Sequence, residues 1–412
     1  MRRVRKIRLR LTKKQQMICR KRFGILRFLW NNILATSIKK HKETGHFMYC
    51  NEFAKDILPR LIEEYPWIKE CPSKARKEIL RDFDKALSRS FESEDRGFPK
   101  FKKKKDPVNS FYFIKDGIRF VNDLSHIWIP TFGVVKLCET GYITEHDIPH
   151  ITSGRIVMEN DIFYITFNLQ APMWNKENKN ITFSDGMGID VGVKDYATIY
   201  HNSKYIHIPH VNKTNHNIIN CEKKIKHLQE IVSHKTNVNL RKYGYVNIQA
   251  YYKAKNKKKG EATKIFATSS ILKLRKRINK LYSRLSRIRK DFIHKLCLSL
   301  VITKPRFITI EDLQVQKMLQ YAPTSTLADH IQKSMFYYFR SVLEAKSLEY
   351  NIEIRLANKF FASSKTCCIC GNKNKDLTLN DRVYRCDKCG NEIDRDENAA
   401  NNLYHLKKYK YV

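Results

Sequence analysis

Four cysteines near the end of the 412-residue chain fall in two C-x-x-C pairs, Cys367 with Cys370 and Cys386 with Cys389, separated by 15 residues. That spacing suits a tetrahedral thiolate site for one structural zinc ion. Gly371 and Gly390, each directly after a second cysteine, supply the permissive backbone such a turn needs. Cys368 lies inside the first pair and could replace Cys367 as a ligand, but the C-x-x-C spacing favours Cys367. The competing reading, buried free thiols acting as small hydrophobes, does not account for two paired knuckles. Directly after the second knuckle comes Asp394-Arg395-Asp396-Glu397-Asn398-Ala399-Ala400, an acidic helix start whose oxygens suit a second, harder metal.

Two more isolated acids stand at element ends. Asp190 interrupts the apolar run Gly188-Ile189-Asp190-Val191, and Glu311 closes Phe307-Ile308-Thr309-Ile310. With Asp396 they form a trio suited to phosphodiester cleavage with two Mg²⁺ ions, in which water is activated and the leaving oxygen stabilised. Each acid also has a plain structural reading: Asp190 as a turn former, Glu311 as a surface acid beside Asp312, Asp396 as a helix cap. The three together, on so basic a chain, favour the catalytic one.

Lys and Arg number 79 against 41 acidic residues, a net charge of +38. That much like charge calls for a polyanion, and 11% aromatic residues offer faces for bases, so nucleic acid is the expected partner. The remaining cysteines, at 19, 50, 71, 138, 221 and 297, are unpaired in pattern, no signal-peptide core opens the chain, and no apolar run is long enough for a membrane span. The expectation is a soluble protein of a reducing compartment, a monomer in preference to an oligomer, with no membrane role.

Residues 4–11 alternate as a strand, with Val4, Ile7, Leu9 and Leu11 set against Arg5, Arg8 and Arg10. Thr12 caps a helix over 15–37, and a second helix starts at Ser73. After Gly97-Phe98-Pro99-Lys100-Phe101 and the lysine run 102–105, short strands at 110–114, 118–121, 126–129, 155–158 and 163–169 suggest a small β-barrel. Lys102 and Lys103 are candidate phosphate contacts; Phe98 and Phe101 read as barrel anchors rather than base-stacking rings. Beyond residue 184 the order is strand, strand, long helix, strand, helix over 327–349, strand over 352–356, the cysteine insert, and a last helix. The long helix carries nine Lys or Arg and no acid between 271 and 290, and Arg275, Arg277, Arg284 and Arg287 are candidate nucleic-acid contacts.

The 188–192 strand, Ile310-Glu311-Asp312-Leu313, Ser363-Ser364-Lys365-Thr366-Cys367 through Cys389, and 394–403 resemble the RuvC motifs and zinc ribbon of the TnpB family, transposon-encoded RNA-guided DNA endonucleases. Leu11 through Gln15, Asn31-Asn32 and Gly97 through Lys102 extend the likeness toward the N-terminus. The resemblance implies an α+β multidomain chain. Residues 1–12 and 96–182 would form a wedge β-barrel, with 13–95 as a helical recognition insert. An RNase H-like (RuvC) α/β nuclease domain would span 183–362 and 392–412, interrupted by a zinc ribbon at 363–391. It also implies Asp190, Glu311 and Asp396 as catalytic acids with Asp394 as fallback, a guide RNA, and double- and single-stranded target DNA beside a short flanking motif. A catalytically silent guided repressor, or a compact type V CRISPR effector, is the alternative. An actin-like ATPase fails on glycine spacing, and a strand-transferring transposase finds no tyrosine in a recognisable setting.

Overall fold

The computed structural model describes residues 2–92, 97–104, 106, 108–170, 184–254, 260–359, 361–374, 376–378 and 381–411. Lys105 and the boundaries expected at 95/96 and 182/183 lie outside them. The chain divides into two compact units, 1–174 and 175–412.

In the first unit, β1 (Arg2–Arg10) leads into α1 (Lys13–Thr44) through Thr12, whose hydroxyl accepts from the Gln15 amide while the Gln15 side chain accepts from the Thr12 amide. This reciprocal capping satisfies two amides that would otherwise lack partners at the helix start. Helix α1 runs one to two turns past the expected end, to Gly45 in the left-handed region. Its apolar stripe, Cys19, Phe23, Leu26, Trp30, Ile33 and Leu34, is buried, and Trp30 meets Phe83 of α2 (Ser73–Glu92) edge-on at 5.7 Å. The strands are β2 (Val108–Ile114), β3 (Arg119–Val121), β4 (His126–Ile129), β5 (Gly133–Leu137), β6 (Ile151–Glu159) and β7 (Ile162–Gln170). They pair in the order β2-β6-β7-β1-β5-β4-β3. Strand β1 joins the two halves, pairing with β7 over most of its length and with β5 at Leu9 and Arg10. Strand period two decides its faces: Ile7 and Leu9 are buried, whereas Val4, of the opposite parity, is 62% exposed and not the core residue its type suggested.

In the second unit, β8 (Met187–Val191), β9 (Asp195–His201), β10 (Lys204–Pro209), β11 (Phe307–Glu311), β12 (Glu353–Ala357) and β15 (Tyr409–Tyr411) form one mixed sheet in the order β10-β9-β8-β11-β12-β15. The pair β8 and β11 and the pair β11 and β12 are parallel; the others are antiparallel. Before the sheet resumes at β11, α3 (His216–Lys242) and α4 (Ser269–Ile302) form a helical pair. Ile218, Cys221 and Ile225 of α3 pack on Ile278 and Leu285 of α4, while the C-terminal half of α4 joins the sheet core through Ile293, Cys297 and Val301.

The helix expected over 327–349 is two helices, α5 (Ser325–Ser334) and α6 (Phe336–Glu349), broken at Met335, whose φ is 55°. Ser334 is buried and hydrogen-bonded to His210 at 2.9 Å, which anchors the break. Between 243 and 266, short helices at Ile248–Lys253 and Glu261–Phe266 bury Tyr251 and Ile265 against Leu240. A two-stranded ribbon, β13 (Val383–Arg385) and β14 (Glu392–Asp394), leads directly into α7 (Arg395–Tyr404).

Candidate metal centre and nucleic-acid groove

Sheet register assembles the carboxylates. In β8 and β11, Gly188 pairs with Thr309 and Ile189 with Ile310, so the next step sets Asp190 beside Glu311 on the same face. Across β9 the same row continues through Thr198, partner of Asp190, to His207 of β10. Helix α7 lies on this face: a Cβ at Gly188 would stand 2.1 Å from the Ala400 carbonyl oxygen and 2.4 Å from the Tyr404 nitrogen, so only glycine permits the approach. From Gly188 two strand residues lead to Asp190, about 6.6 Å. From Ala400 one helical turn back, about 6 Å, leads to Asp396. The two steps match, and Asp396 in the first turn of α7 comes over Asp190.

Asp394 is the N-cap of α7, accepting from the amides of Asp396 at 2.8 Å and Glu397 at 3.3 Å. Capping therefore falls to Asp394, and the Asp396 carboxylate is left to face the other acids. The pKa of Asp190 is raised well above the usual carboxylate range by burial, then by Glu311 and Asp396, with Arg395 opposing. Glu311 is also raised by burial, against a hydrogen bond from the Ser363 hydroxyl. Arg395 reaches Asp396 Oδ1 at 3.2 Å. Excess negative charge with one guanidinium in attendance, all on oxygen donors, fits hard divalent cations, whose binding would relieve the repulsion. Among the described residues, the close-set group of potential metal-ligand atoms is the four cysteine sulfurs, all within 4.8 Å of one another, and the three carboxylates are not part of such a group.

Those sulfurs belong to Cys367, Cys370, Cys386 and Cys389. Cys367 and Cys389 Sγ are 3.6 Å apart and Cys370 and Cys386 Sγ 3.4 Å, close to the ~3.8 Å edge of a tetrahedron with 2.3 Å zinc–sulfur bonds. The two knuckles repeat one pattern, with the Gly371 amide donating to the Cys367 carbonyl and the Gly390 amide to that of Cys386, and both glycines at φ near 70°. Burial works to raise the Cys386 thiol, but hydrogen bonds from the Cys389 and Lys388 amides and with the Cys370 and Cys389 thiols together hold it down to about 6. Cys368 is outside the cluster; its amide donates to Asn398 Oδ1 at 3.0 Å.

Helices α3 and α4 enclose a groove of about 520 Å³ lined by Lys224, His227, Arg277, Lys280, Arg284 and Arg287, with no acid among its lining residues. Arg275 is exposed on the same helix outside that groove. Lys103 is exposed, but Lys102 is not a free cation. Its ammonium sits 3.6 Å from the Trp30 ring centroid and burial lowers its pKa to about 8, so the fold already engages this lysine. Asn31 fixes the same segment, exchanging hydrogen bonds with the Lys102 backbone at 2.8 and 3.0 Å. Phe98 and Phe101 are 38% and 50% exposed, which corrects their reading as buried anchors. Their main chain is pinned by α1, through Trp30 to the Lys100 carbonyl and through Asn31, so the rings need not be.

Sequence reasoning gave no site role to Ser363, Asn398, Asn402, Glu397 or His207, although all but His207 stand in the motifs that carry the resemblance. His207 Nε2 lies 2.9 Å from Glu397 Oε1. Asn398 and Asn402 carried a further signal, two amides one turn apart on α7; Ser363 carried none beyond its place in the motif.

These features describe a mixed α/β protein with neighbouring carboxylates at one sheet face and a four-thiolate cluster. Three family models match it: "Probable transposase" over residues 177–322, "Cas12f1-like, TNB domain" over 336–403 and "Helix-turn-helix domain" over 1–46, the last stretch being a strand and one long helix here. Over these stretches the chain is similar to transposon proteins of the TnpB type. Among curated relatives, "Putative RNA-guided DNA endonuclease InsQ" of Escherichia coli K12 is 22% identical, over 97% of this chain and 90% of that one. A "Putative RNA-guided DNA endonuclease" of Streptomyces pristinaespiralis is 37% identical over 32% of this chain. The TnpB-like protein L79 of Acanthamoeba polyphaga mimivirus is 31% identical over 52% of this chain. The chain spans only 31% and 36% of those last two proteins' lengths. Among solved structures, a Cas12f1–sgRNA–target DNA complex aligns over 99% of this chain and 100% of that chain at 15% identity and TM-score 0.35.

Proposed function

We propose that the protein is an RNA-guided DNA endonuclease that cuts target DNA next to a short flanking motif, using the carboxylate centre as a RuvC-type, Mg²⁺-dependent site. The observation that carries this reading is the convergence of Asp190, Glu311 and Asp396, 121 and 85 residues apart in sequence, at one sheet face under the start of α7. Counted from β8, the sheet order is 3-2-1-4-5-6, and its first five strands support the RNase H-like assignment. Names of the relatives support guide RNA and DNA as partners.

Asp190, Glu311 and Asp396 would hold two Mg²⁺ ions, which when bound supply Lewis acidity and an activated water. The chain's own contribution is positional. Asp190 projects from a rigid central strand, Ser363 fixes one oxygen of Glu311, and Arg395 balances part of the charge on Asp396. One Zn²⁺ in the four-thiolate cluster would hold the ribbon. Residues 1–12 and 96–182 are assigned as the wedge, 13–95 as the recognition insert, and the groove of Arg277, Arg284 and Arg287 as a track for the phosphates of the guide–target duplex. No helix among the described residues is long and apolar enough to cross a membrane.

The test is plasmid cleavage with the native guide RNA, run beside Asp190→Ala. Cutting by the wild type, lost in Asp190→Ala while guide-directed DNA binding persists, supports the reading. Equal cutting by both proteins refutes the site; binding without cutting by the wild type would make the protein a guided binder.

A further inference from the structure

The segment entering the first cysteine knuckle is fastened at both ends to the helix that carries Asp396. Asn402 Nδ2 donates to the Ser363 carbonyl at 2.8 Å and to the Thr366 carbonyl at 2.6 Å. One turn earlier, Asn398 Nδ2 donates to the Thr366 carbonyl at 2.7 Å and its Oδ1 accepts from the Cys368 amide at 3.0 Å. Asn398 is fully buried and Ser363 only 4% exposed, with Asn402 half-buried, so water competes little for the Asn398 bonds. From this strap the Ser363 hydroxyl donates to Glu311 Oε1, at the end of β11. Glu311 and Asp396 lie on separate elements, one a strand and one a helix, and the chain from Ser363 through Asn402 is a continuous hydrogen-bonded link between them.

We propose that Ser363 is a positioning residue for Glu311, and that the strap pinned by Asn398 and Asn402 sets the separation of Glu311 from Asp396 at which the carboxylates bind divalent cations. The inference rests on the carboxylate reading above and adds to it a determinant of metal affinity outside the ligands. The physical reason is rotameric. A free glutamate samples several side-chain wells, and a hydroxyl donor on Oε1 selects one and leaves Oε2 and the remaining lone pair for metal. Partners of this kind behind a ligand are worth 10- to 100-fold in metal affinity.

The experiment measures Mn²⁺ binding to the full-length protein by the electron paramagnetic resonance of free Mn²⁺, and separately the Mg²⁺ concentration giving half-maximal cleavage. Ser363→Ala is expected to weaken Mn²⁺ binding by about 10-fold or more and raise the half-maximal Mg²⁺ by a similar factor, with cutting recovered at high Mg²⁺. Ser363→Thr, which keeps the hydroxyl, is expected to bind within about 3-fold of wild type. Wild-type affinity in a folded Ser363→Ala, judged by its zinc content and melting temperature, overturns the proposal. If that variant does not fold, Asn402→Ala decides: the same weakening supports the strap, and wild-type affinity overturns it. A Mn²⁺ affinity indifferent to Asp190→Ala defeats the carboxylate reading itself, a result distinguishable from failure of the strap alone.

Discussion

Replacing Gly188 with alanine tests how α7 places Asp396. The added Cβ would lie 2.1 Å from the Ala400 carbonyl oxygen and 2.4 Å from the Tyr404 nitrogen, both backbone atoms that no rotamer change can move. Ordinary contact begins near 3.4 Å, so helix and strand must separate by roughly 1 Å. Separation of that size at an overpacked contact costs about 1–3 kcal/mol. In a unit of this size that lowers the melting temperature by roughly 2–4 °C per kcal/mol. The functional loss is expected to be larger than the loss of stability. Asp396 rides on α7 while Asp190 and Glu311 stay with the sheet, and a misplacement of about 1 Å at a reacting centre costs on the order of 100-fold in rate. The assay is single-turnover cleavage of a matched target at saturating guide, with thermal unfolding of the same preparations. Gly192→Ala is the control, since its Cβ would meet only the Asp195 carbonyl, at 3.1 Å. A Gly188→Ala protein that cuts at the wild-type rate would refute the placement of α7 over β8, and with it the convergence of the three acids.

Asp190 binds its proton more tightly in the folded chain than in the unfolded one, so metal-free stability is full below the ordinary carboxylate value of 3.8 and falls as pH rises toward the raised value. Asp190→Asn is therefore expected to melt above wild type at pH 7 without added Mg²⁺, with the gap closing near pH 4, while cleavage is lost; an unchanged or lower melting point at pH 7 contradicts the burial argument. Charge reversal of Arg277 and Arg284 in the α3–α4 groove should weaken guide or target binding and flatten its dependence on log salt by about 2, whereas Lys102→Met should leave that slope unchanged and cost stability through its lost contact with Trp30. Cys386→Ser should reduce bound zinc from one per chain to none, measured by atomic emission, and lower the melting temperature of the second unit; retained zinc would exclude Cys386 as a ligand.

Much of this fold was legible because its signals are local. The Thr12 capping box, the stripe from Phe23 to Leu34 and the apolar period of α4 all appear within windows of a few turns. Strand β5 was missed because Gly133–Leu137 is short and only half alternating, and the break at Met335 because it is stabilised by His210, more than a hundred residues away. Lys102 reads as a phosphate ligand by type and neighbourhood, and its contact with Trp30 became visible only once α1 was folded against its segment.

The amino-acid order by itself determined the thiolate cluster, because two C-x-x-C knuckles with glycines behind them fold on contacts spanning five residues each. It also determined the excess positive charge and the identity of the three acids that stand out against it. Only tertiary structure decided that those acids share a site. Asp190 meets Glu311 through parallel strand register, and Asp396 arrives because a residue without a side chain lets a helix backbone touch the sheet. Ser363 entered the site in the same way, through hydrogen bonds from Asn398 and Asn402 that align the segment from 363 to 368 along α7. Such long-range contacts leave no period in the sequence, since each depends on where an element of distant origin comes to rest.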